Sequence, residues 1–367
     1  MTGPEPPHPD AVPVPGLSVV VPVKARVAET RALLASLRQA VAHCPEPVEI
    51  VLVDDSEPAD ARLHRAHCAE FGARYVFGPR NVGAKRNLGV RLAVHDLILF
   101  IDSDCLATGD LLQRHVKSLR AAPEEVGAVA GPTYVQGTET PVFRVMSRSR
   151  LLNSAFEWPG RARRVAWATT CNLAIRRSAF EAVGGFHERP LTVVGGEDVD
   201  LGIRLTEAGY TIACDPSALV VHDKGSTDSL GTVSRRLVTY GRSGQWLLDV
   251  HPGRGRPKLN RAATLALAAA AALPGLRASR GRTALLVPLV AAALLARDTR
   301  ERLRPGERSP ASVAEAAACA LLDWSFDLGE VIAAVQLRRP DRVFTGFGWT
   351  DDPAFEWEDS PDKPYGR

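Results

Sequence analysis

The sequence has no strong excess of charge of either sign. Its 45 Lys and Arg residues nearly balance its 42 Asp and Glu residues, which leaves a formal net charge of +3. A nucleic-acid-binding domain usually carries a strongly basic surface, so we expect no nucleic acid among the partners. The six cysteines also lack a CxxC pair or another spacing typical of metal sites. Isolated thiols of this kind are typical of reduced proteins, and we expect a cytoplasmic location.

Long apolar runs are missing as well. The two most apolar stretches, residues 264–276 and 283–296, have 13 and 14 residues, whereas a helix that crosses a bilayer needs about 20. These lengths favour a packed helical hairpin and leave open a peripheral contact with the cytoplasmic face of a membrane. The proline-rich residues 1–16 do not resemble a signal peptide, and we expect them to form a disordered lead-in.

Apolar strands alternate with helices over the first hundred residues. The pattern predicts strands at 17–23, 48–53, 74–77 and 97–101, and helices at 28–42, 59–71 and 84–94. This alternation predicts an α/β fold with a mostly parallel, Rossmann-like sheet flanked by helices. Residues 136–164 fit no regular pattern, and we expect a mobile loop there. After the lead-in, the predicted divisions are an α/β domain at 17–225, a helical C-terminal region at 226–340 and a polar tail at 341–367.

Two acidic clusters are the most informative feature of the chain. Asp102-Ser103-Asp104 follows a predicted buried strand, and Glu197-Asp198-Val199-Asp200 follows a pair of glycines. Since α/β sheets bind ligands at the carboxyl ends of their strands, the first cluster can hold a hard cation against a diphosphate. The second cluster can supply a base. A solvated loop with an Asx turn is the alternative for the first cluster, and a favourable helix-dipole contact is the alternative for the second.

Three other segments have both a structural and a functional interpretation. Asp54 and Asp55 can form a turn or helix cap, or they can accept a hydrogen bond from the ring N–H of uracil or guanine. The run 78–85 is not a P-loop, because Ala84 separates the glycine from the lysine and no Ser or Thr follows. It is either a solvated basic helix end or a contact for ribose or phosphate. His222 is either a core histidine or a metal ligand.

Taken in chain order, the motifs resemble those of the inverting family-2 glycosyltransferases, which use nucleotide-diphosphate sugars and have the A-type glycosyltransferase fold. The resemblance covers residues 17–223 and makes 17–225 the catalytic domain. The matching segments are 17–22, 51–56, 81–89, 102–104, 171–174, 184–186, 197–204 and 221–223.

The resemblance implies a role for each matching residue. Asp198 would be the general base, supported by Glu197, and Asp104 and His222 would bind Mn²⁺ or Mg²⁺, with Mn²⁺ favoured by the nitrogen ligand. The implied nucleotide-binding residues are Pro22, Asp54, Asp55, Asn81, Arg86 and Asp102. The implied donor-sugar pocket contains Asn172, Gly195 and Gly196. The expected reaction is metal-assisted transfer, with inversion, from a UDP- or GDP-sugar to a hydroxyl of a lipid, glycan or peptide.

Motifs in the C-terminal region indicate which kind of family-2 enzyme the chain resembles. Gln245-Trp246 is all that matches the QxxRW pattern of processive synthases, so we expect a non-processive enzyme. With His251-Pro252-Gly253, the layout resembles the mycofactocin-type glycosyltransferases. Two other classes stay open: a non-catalytic nucleotide-binding or partner-binding module of the same fold, and a sugar-nucleotide nucleotidyltransferase. The latter is disfavoured because residues 21–24 after the first strand contain no glycine.

Overall fold

The structure is a computed structural model that describes residues 13–188, 195–223, 229–278, 282–350 and 352–357. Its strands are β1 Val14–Val23, β2 Val48–Asp54, β3 Arg74–Phe77, β4 His95–Phe100, β5 Cys105–Ala107, β6 Val126–Ala130, β7 Thr133–Gln136, β8 Ala162–Val165, β9 Leu173–Arg176, β10 Thr211–Cys214, β11 Val220–Asp223, β12 Gly255–Pro257, β13 Thr345–Phe347 and β14 Glu356–Trp357.

The helices are of two kinds, short ones around the sheet and longer ones near the carboxyl end. They are α1 Val27–Val41, α2 Pro58–Phe71, α3 Val82–Leu92, α4 Leu111–Ala121, α5 Pro141–Ser147, α6 Arg150–Glu157, α7 Arg177–Ala182, α8 Glu197–Glu207, α9 Leu230–Val250, α10 Arg261–Ala278, α11 Leu286–Arg302 and α12 Pro310–Gln336.

A nine-stranded sheet forms the centre of the fold, in the order β14-β8-β10-β6-β9-β4-β1-β2-β3. Strands β1 to β4 are parallel to their neighbours among themselves, whereas β9 and β8 run against the strands beside them. The predicted α/β class is therefore confirmed. The sheet is mixed: seven of its nine strands point the same way, but four of its eight strand pairs are antiparallel. The strands and helices predicted between residues 17 and 101 are all present, with ends displaced by a few residues.

Both faces of the sheet are buried, which explains why its strands are nearly continuous apolar runs. Along β1 the side chains alternate between two apolar clusters: Val20 packs on one face of the sheet, and Val19 and Val21 pack on the other. Ile98 and Leu99 of β4 alternate in the same way. The pleat of the strands thus gives one sheet two cores, each covered by helices.

One prediction about a less regular segment is wrong. Residues 136–164 contain α5, α6 and β8 in place of a mobile loop, because tertiary ion pairs such as Arg148–Glu307 at 2.8 Å fix α5 to the C-terminal region. The predicted polar tail contains β13 and β14, and Trp349 packs against the main core. Strand β1 also begins inside the predicted lead-in. Residues 1–12 of that lead-in and 358–367 of the tail lie outside the described residues.

A close helix crossing holds the C-terminal region together. Helices α9 and α12 meet backbone to backbone where a glycine of each faces the other helix. A Cβ on Gly241 would lie 1.9 Å from the carbonyl oxygen of Phe326, and one on Gly329 would lie 2.1 Å from that of Val238. Helices α10 and α11 then pack on α12, which accords with the predicted hairpin. In the part of the chain that the structure describes, no helix combines the length and apolar character needed to cross a membrane.

We predict that Gly241→Ala lowers the free energy of unfolding by about 1–3 kcal/mol, because the added methyl group overpacks the crossing. The measurement is urea unfolding followed by circular dichroism. Gly109→Ala is the matched control, since a Cβ there meets no atom within 4 Å. Equal stability of the two variants would contradict the close crossing.

Candidate active site

The carboxyl ends of β1, β2 and β4 lie at one edge of the sheet, and each is followed by polar residues. A second, three-stranded sheet in the order β5-β11-β7 stands beside this edge. In it, His222 of β11 is directly opposite Cys105 of β5. This register brings His222 next to the Asp102-Ser103-Asp104 segment, although the two are more than a hundred residues apart in the chain.

Asp104, Cys105 and His222 form a cluster that can hold a metal ion. Their ligand atoms lie within 4.8 Å of one another, and His222 Nε2 is 3.5 Å from Asp104 Oδ1. A hydrogen bond with Cys171 and burial raise the pKa of the Cys105 thiol well above its ordinary value, so it stays protonated and is a poor ligand. The carboxylate and the imidazole remain. This oxygen and nitrogen pair fits a divalent cation such as Mn²⁺.

Arg26, which no sequence motif indicated, forms an ion pair with the other oxygen of Asp104. Ala25 and Arg26 both have φ of +56°, a left-handed conformation that turns the chain sharply after β1. That turn directs the arginine to Asp104, while the side chain stays 46% exposed. A cation at Asp104 would therefore compete with the Arg26 guanidinium for the carboxylate.

Arg86 joins the two acidic clusters. Its Nη1 donates to Glu197 at 2.8 Å and its Nη2 donates to Asp102 at 3.0 Å. The guanidinium is buried and lies over the ring of Phe186, with 5.5 Å between its carbon and the ring centroid. An arginine in α3 thus fixes the loop after β4 against the first turn of α8.

The two neighbouring carboxylates of the second cluster have different surroundings. Glu197 is paired with Arg86, whereas Asp198 accepts a hydrogen bond from the backbone N–H of Val199, at 2.9 Å. Burial and the charge of Glu197 raise the pKa of Asp198 to about 7, against the opposing effect of Arg86. Glu197 is thus held in place by Arg86, and Asp198 can change its protonation state near neutral pH.

Asp200, the third acid of this cluster, has a supporting role. Its carboxylate accepts hydrogen bonds from Arg204 at 2.7 Å and from His251 at 3.0 Å, with His251 Nε2 as donor. Burial alone would raise the pKa of Asp200, but these hydrogen bonds outweigh it and lower the pKa. His251 belongs to the His-Pro-Gly segment noted in the sequence, so that segment anchors α8 and does not enter the cleft.

A cleft of about 260 Å³ runs along the second cluster. Gly195 and Gly196 line it with φ of +114° and +88°, a backbone conformation that other residues rarely adopt. They pass close to Ser243 of α9, 3.1 Å from the position of a Cβ on Gly195. The polar end of the cleft is lined by Arg86, Asp102, Glu197, Asp198 and Tyr240. Burial raises the pKa of Tyr240 to about 12, so its hydroxyl stays protonated beside Asp198.

The residues predicted to bind nucleotide lie at the same edge of the sheet, with different degrees of access. Pro22 is buried in β1, opposite Val53. Asp54 is fully buried and accepts hydrogen bonds from the Ser56 backbone and the Tyr75 hydroxyl, so it is a supporting residue. Asp55 forms an ion pair with the buried Lys85. Asn81 caps α3 by accepting a hydrogen bond from the Ala84 N–H at 2.9 Å.

The placement of Asn172 corrects its predicted role in the sugar pocket. Its amide donates to the carbonyl groups of Pro132 at 3.0 Å and Ala218 at 2.7 Å, and its oxygen accepts from His115 at 2.8 Å. The residue is 1% exposed. Every polar atom of the side chain is therefore occupied within the protein. Asn172 shapes the cleft only indirectly, by fixing the segment that carries Cys171.

Two family profiles match the chain. Glycosyl transferase family 2 matches residues 18–184, and the N-terminal domain of galactosyltransferase matches residues 151–221. The first match contains Asp102 and Asp104, and the second contains Asp198. The two profiles overlap at residues 151–184, so they cover the whole series of motifs up to β11.

Several curated glycosyltransferases are similar to the chain. A pre-mycofactocin glycosyltransferase of Mycobacterium tuberculosis is 28% identical over 66% of this chain and 49% of its own length. An N-acetylglucosaminyl-diphospho-decaprenol L-rhamnosyltransferase of the same species is 36% identical over 36% of this chain and 39% of its own. A validoxylamine A glucosyltransferase of Streptomyces hygroscopicus is 31% identical over 53% of this chain and 49% of its own length. The chain thus spans half or less of the length of these relatives.

Among solved structures, a mannosyltransferase from Pyrobaculum calidifontis in complex with GDP-Man and Mn²⁺ is 20% identical, with a TM-score of 0.48, over 91% of this chain and 89% of that one.

We predict that Asp104→Asn and His222→Ala each weaken the binding of Mn²⁺ by at least about 10-fold, because even residues that only orient metal ligands contribute 10–100-fold. Calorimetric titration with Mn²⁺ in the presence of UDP or GDP measures this. Cys105→Ala is the control from the same cluster, and it should keep the wild-type affinity because its thiol stays protonated. Unchanged affinity in both ligand variants would refute the assignment.

Proposed function

Because this chain belongs to glycosyl transferase family 2, we propose that it transfers a sugar from a nucleotide-diphosphate donor to an acceptor hydroxyl, with inversion at the anomeric carbon. The observation that carries the proposal is the double ion pair of Arg86, which joins Asp102 to Glu197 in one cleft. The proposed catalytic unit comprises residues 17–225 together with the C-terminal residues that line the cleft.

Asp198 is the proposed general base. Its carboxylate takes the proton of the acceptor hydroxyl while the hydroxyl oxygen attacks the anomeric carbon and the bond to the diphosphate breaks. Attack on the face opposite the leaving group inverts the configuration. A base with a pKa near the working pH is both sufficiently deprotonated and sufficiently basic, which the value of about 7 satisfies. Glu197, fixed by Arg86, is the proposed source of the charge that keeps this pKa high.

The proposed nucleotide site lies at the ends of β1, β2 and β4. Asp55 at the tip of β2 is oriented by Lys85 and would accept from the ring N–H of uracil or guanine. Asp102, 34% exposed on the cleft side of Arg86, would contact the ribose. Asp104 and His222 would hold Mn²⁺ or Mg²⁺, and a bound cation supplies charge compensation for the departing diphosphate.

We predict that the rate of transfer rises with pH through about 7, the pKa of Asp198, because only the deprotonated carboxylate accepts a proton. Asp198→Asn should reduce transfer by about 10²–10⁴-fold and leave the affinity for the donor nucleotide unchanged. The measurement is a pH profile of kcat/KM beside nucleotide titration.

Glu197→Gln gives a matched control for this assignment. The change removes the neighbouring negative charge, which lowers the pKa of Asp198, so the inflection of the profile should move to lower pH while transfer persists. An unmoved inflection, or an Asp198→Asn variant with normal turnover, would assign the base elsewhere.

A donor screen tests the function as a whole. The protein is incubated with UDP-, GDP- and dTDP-sugars, with and without Mn²⁺, and release of the nucleoside diphosphate is measured. We expect hydrolysis of a UDP- or GDP-sugar that depends on the metal. Tight binding of nucleotide without hydrolysis or transfer would favour a non-catalytic module, and release of pyrophosphate from a sugar phosphate and a nucleoside triphosphate would favour a nucleotidyltransferase.

We also propose a peripheral contact with the cytoplasmic face of a membrane. The C-terminal hairpin exposes several leucines: Leu267, Leu273, Leu285, Leu286 and Leu289, each 39–66% exposed. Exposed apolar side chains on neighbouring helices are typical of interfacial helices. Flotation with phosphatidylglycerol vesicles should recover the wild-type protein and less of Leu267→Gln and Leu289→Gln. Absence of the wild-type protein from the vesicle fraction would contradict the contact.

A further inference from the structure

The cleft beside Asp198 has a second, apolar end. Six large side chains line it: Leu152, Phe156, Trp158, Trp167, Phe326 and Trp349. We call them the aromatic wall. Four of the six are almost fully buried, with exposures of 3–6%. A hydroxyl group that reaches Asp198 therefore has the acidic cluster on one side and, on the other, a mainly apolar surface with a few hydroxyl groups, those of Ser154, Thr169 and Thr170.

The aromatic wall is a preorganised surface built from distant parts of the chain. The rings of Trp158 and Trp167 meet edge to face at 4.9 Å, and Trp167 contacts Trp349 at 5.8 Å. The indole N–H of Trp167 donates to the carbonyl oxygen of Trp349 at 2.9 Å. Phe326 of α12 packs on Trp349 at 6.5 Å. These contacts fix the rings, so a ligand meets a rigid apolar surface and does not have to order it.

The position of the wall assigns it to the acceptor. The proposed metal ligands Asp104 and His222 lie near the ends of β4 and β11 and do not line the cleft, and neither does Asp55 at the end of β2. Of the proposed nucleotide contacts, Asp102 and Arg86 lie at the polar end of the cleft. Asp198, which must touch the acceptor hydroxyl, lines the cleft together with the wall. Contact between the two sides runs through Phe156, whose ring is 5.8 Å from that of His222. The group that carries the accepting hydroxyl therefore lies on the wall.

A carbon surface discriminates between acceptors. A free sugar bears hydroxyl groups on every side, and each one that loses its hydrogen bonds to water against such a surface weakens binding. An apolar group gains by leaving water. Small-molecule sites are typically about 300–1,000 Å³, and the cleft of about 260 Å³ is near that lower limit. Its size suits a ring or a short chain next to the hydroxyl, and not an extended glycan.

We propose that the acceptor carries an apolar group, an aryl ring or an alkyl chain, directly beside its accepting site, and that this group binds the aromatic wall. The inference rests on the proposed sugar transfer and narrows its acceptor. Arg150 and the half-exposed Leu151 lie at the rim of the same cleft, where the remainder of the acceptor would leave it.

The test compares acceptors that differ only in the apolar group. With the nucleotide sugar selected by the donor screen, transfer to phenyl, octyl and methyl β-D-glucoside is measured. We expect kcat/KM for the phenyl or the octyl compound to exceed that of the methyl compound by at least 10-fold, mainly through KM. A preference for the phenyl compound would indicate that the acceptor carries an aryl ring, and a preference for the octyl compound would indicate an alkyl chain. Equal values for the three compounds would overturn the inference but not the proposed transfer.

Substitutions locate the preference on the wall. Leu151→Gln changes an exposed rim residue and leaves the packed rings in place, and it should reduce the preference several-fold. Leu63→Gln is the matched control, since Leu63 is 48% exposed on α2 outside the cleft. Trp349→Leu should reduce the preference further, with the melting temperature recorded for each variant. A preference that survives Leu151→Gln and Trp349→Leu in folded protein would overturn the assignment to the wall.

If none of the three glucosides accepts sugar, a competition assay replaces the transfer assay. Phenyl and octyl glucoside should then inhibit donor hydrolysis at concentrations at least 10-fold lower than methyl glucoside. Equal inhibition, or none, would overturn the inference. Failure of the wild-type protein to hydrolyse or transfer from any nucleotide sugar would refute the proposed function itself.

Discussion

The buried Arg86 bridge is the interaction on which the site depends. Asp102, in the loop after β4, and Glu197, in the first turn of α8, lie far apart in the sequence, and without a cation between them their carboxylates would repel each other. Burial of a guanidinium costs free energy unless it is paired and hydrogen-bonded, and here it has two carboxylates and the face of Phe186. Breaking such a bridge leaves uncompensated charges, so this one side chain holds the loop after β4 against the first turn of α8.

The Arg86 bridge also gives the adjacent acids Glu197 and Asp198 different roles. Glu197 forms an ion pair with Arg86. The pKa of Asp198 is raised by burial and by the charge of Glu197. Asp200 is occupied by Arg204 and His251, which anchor the first turn of α8. Of the three acids in the cluster, Asp198 is the one whose pKa is raised into the neutral range. The C-terminal region contributes the opposite side of the cleft through Tyr240, Phe326 and Trp349.

Local patterns were sufficient to predict the first strands and the two acidic clusters, because each apolar run and each strand end is a feature of consecutive residues. They were insufficient where long-range contacts decide the structure. Arg26 reaches Asp104 through a left-handed turn that no residue type there indicates, and α5 is ordered by ion pairs with the C-terminal region. Asn172 was assigned to the donor-sugar pocket by the family resemblance, and the three partners that occupy its amide become known only in the fold.

A crystal structure with Mn²⁺ and the nucleoside diphosphate of the preferred donor is the most direct test of this arrangement of the site. We predict that the metal contacts Asp104 and His222, with the Arg26 side chain displaced. The nucleobase should lie near Asp55. Asp198 should face the diphosphate across a gap the size of a sugar ring, and Arg86 should still join Asp102 and Glu197. A nucleotide bound away from the ends of β1, β2 and β4, or a diphosphate on the same side as Asp198, would contradict it.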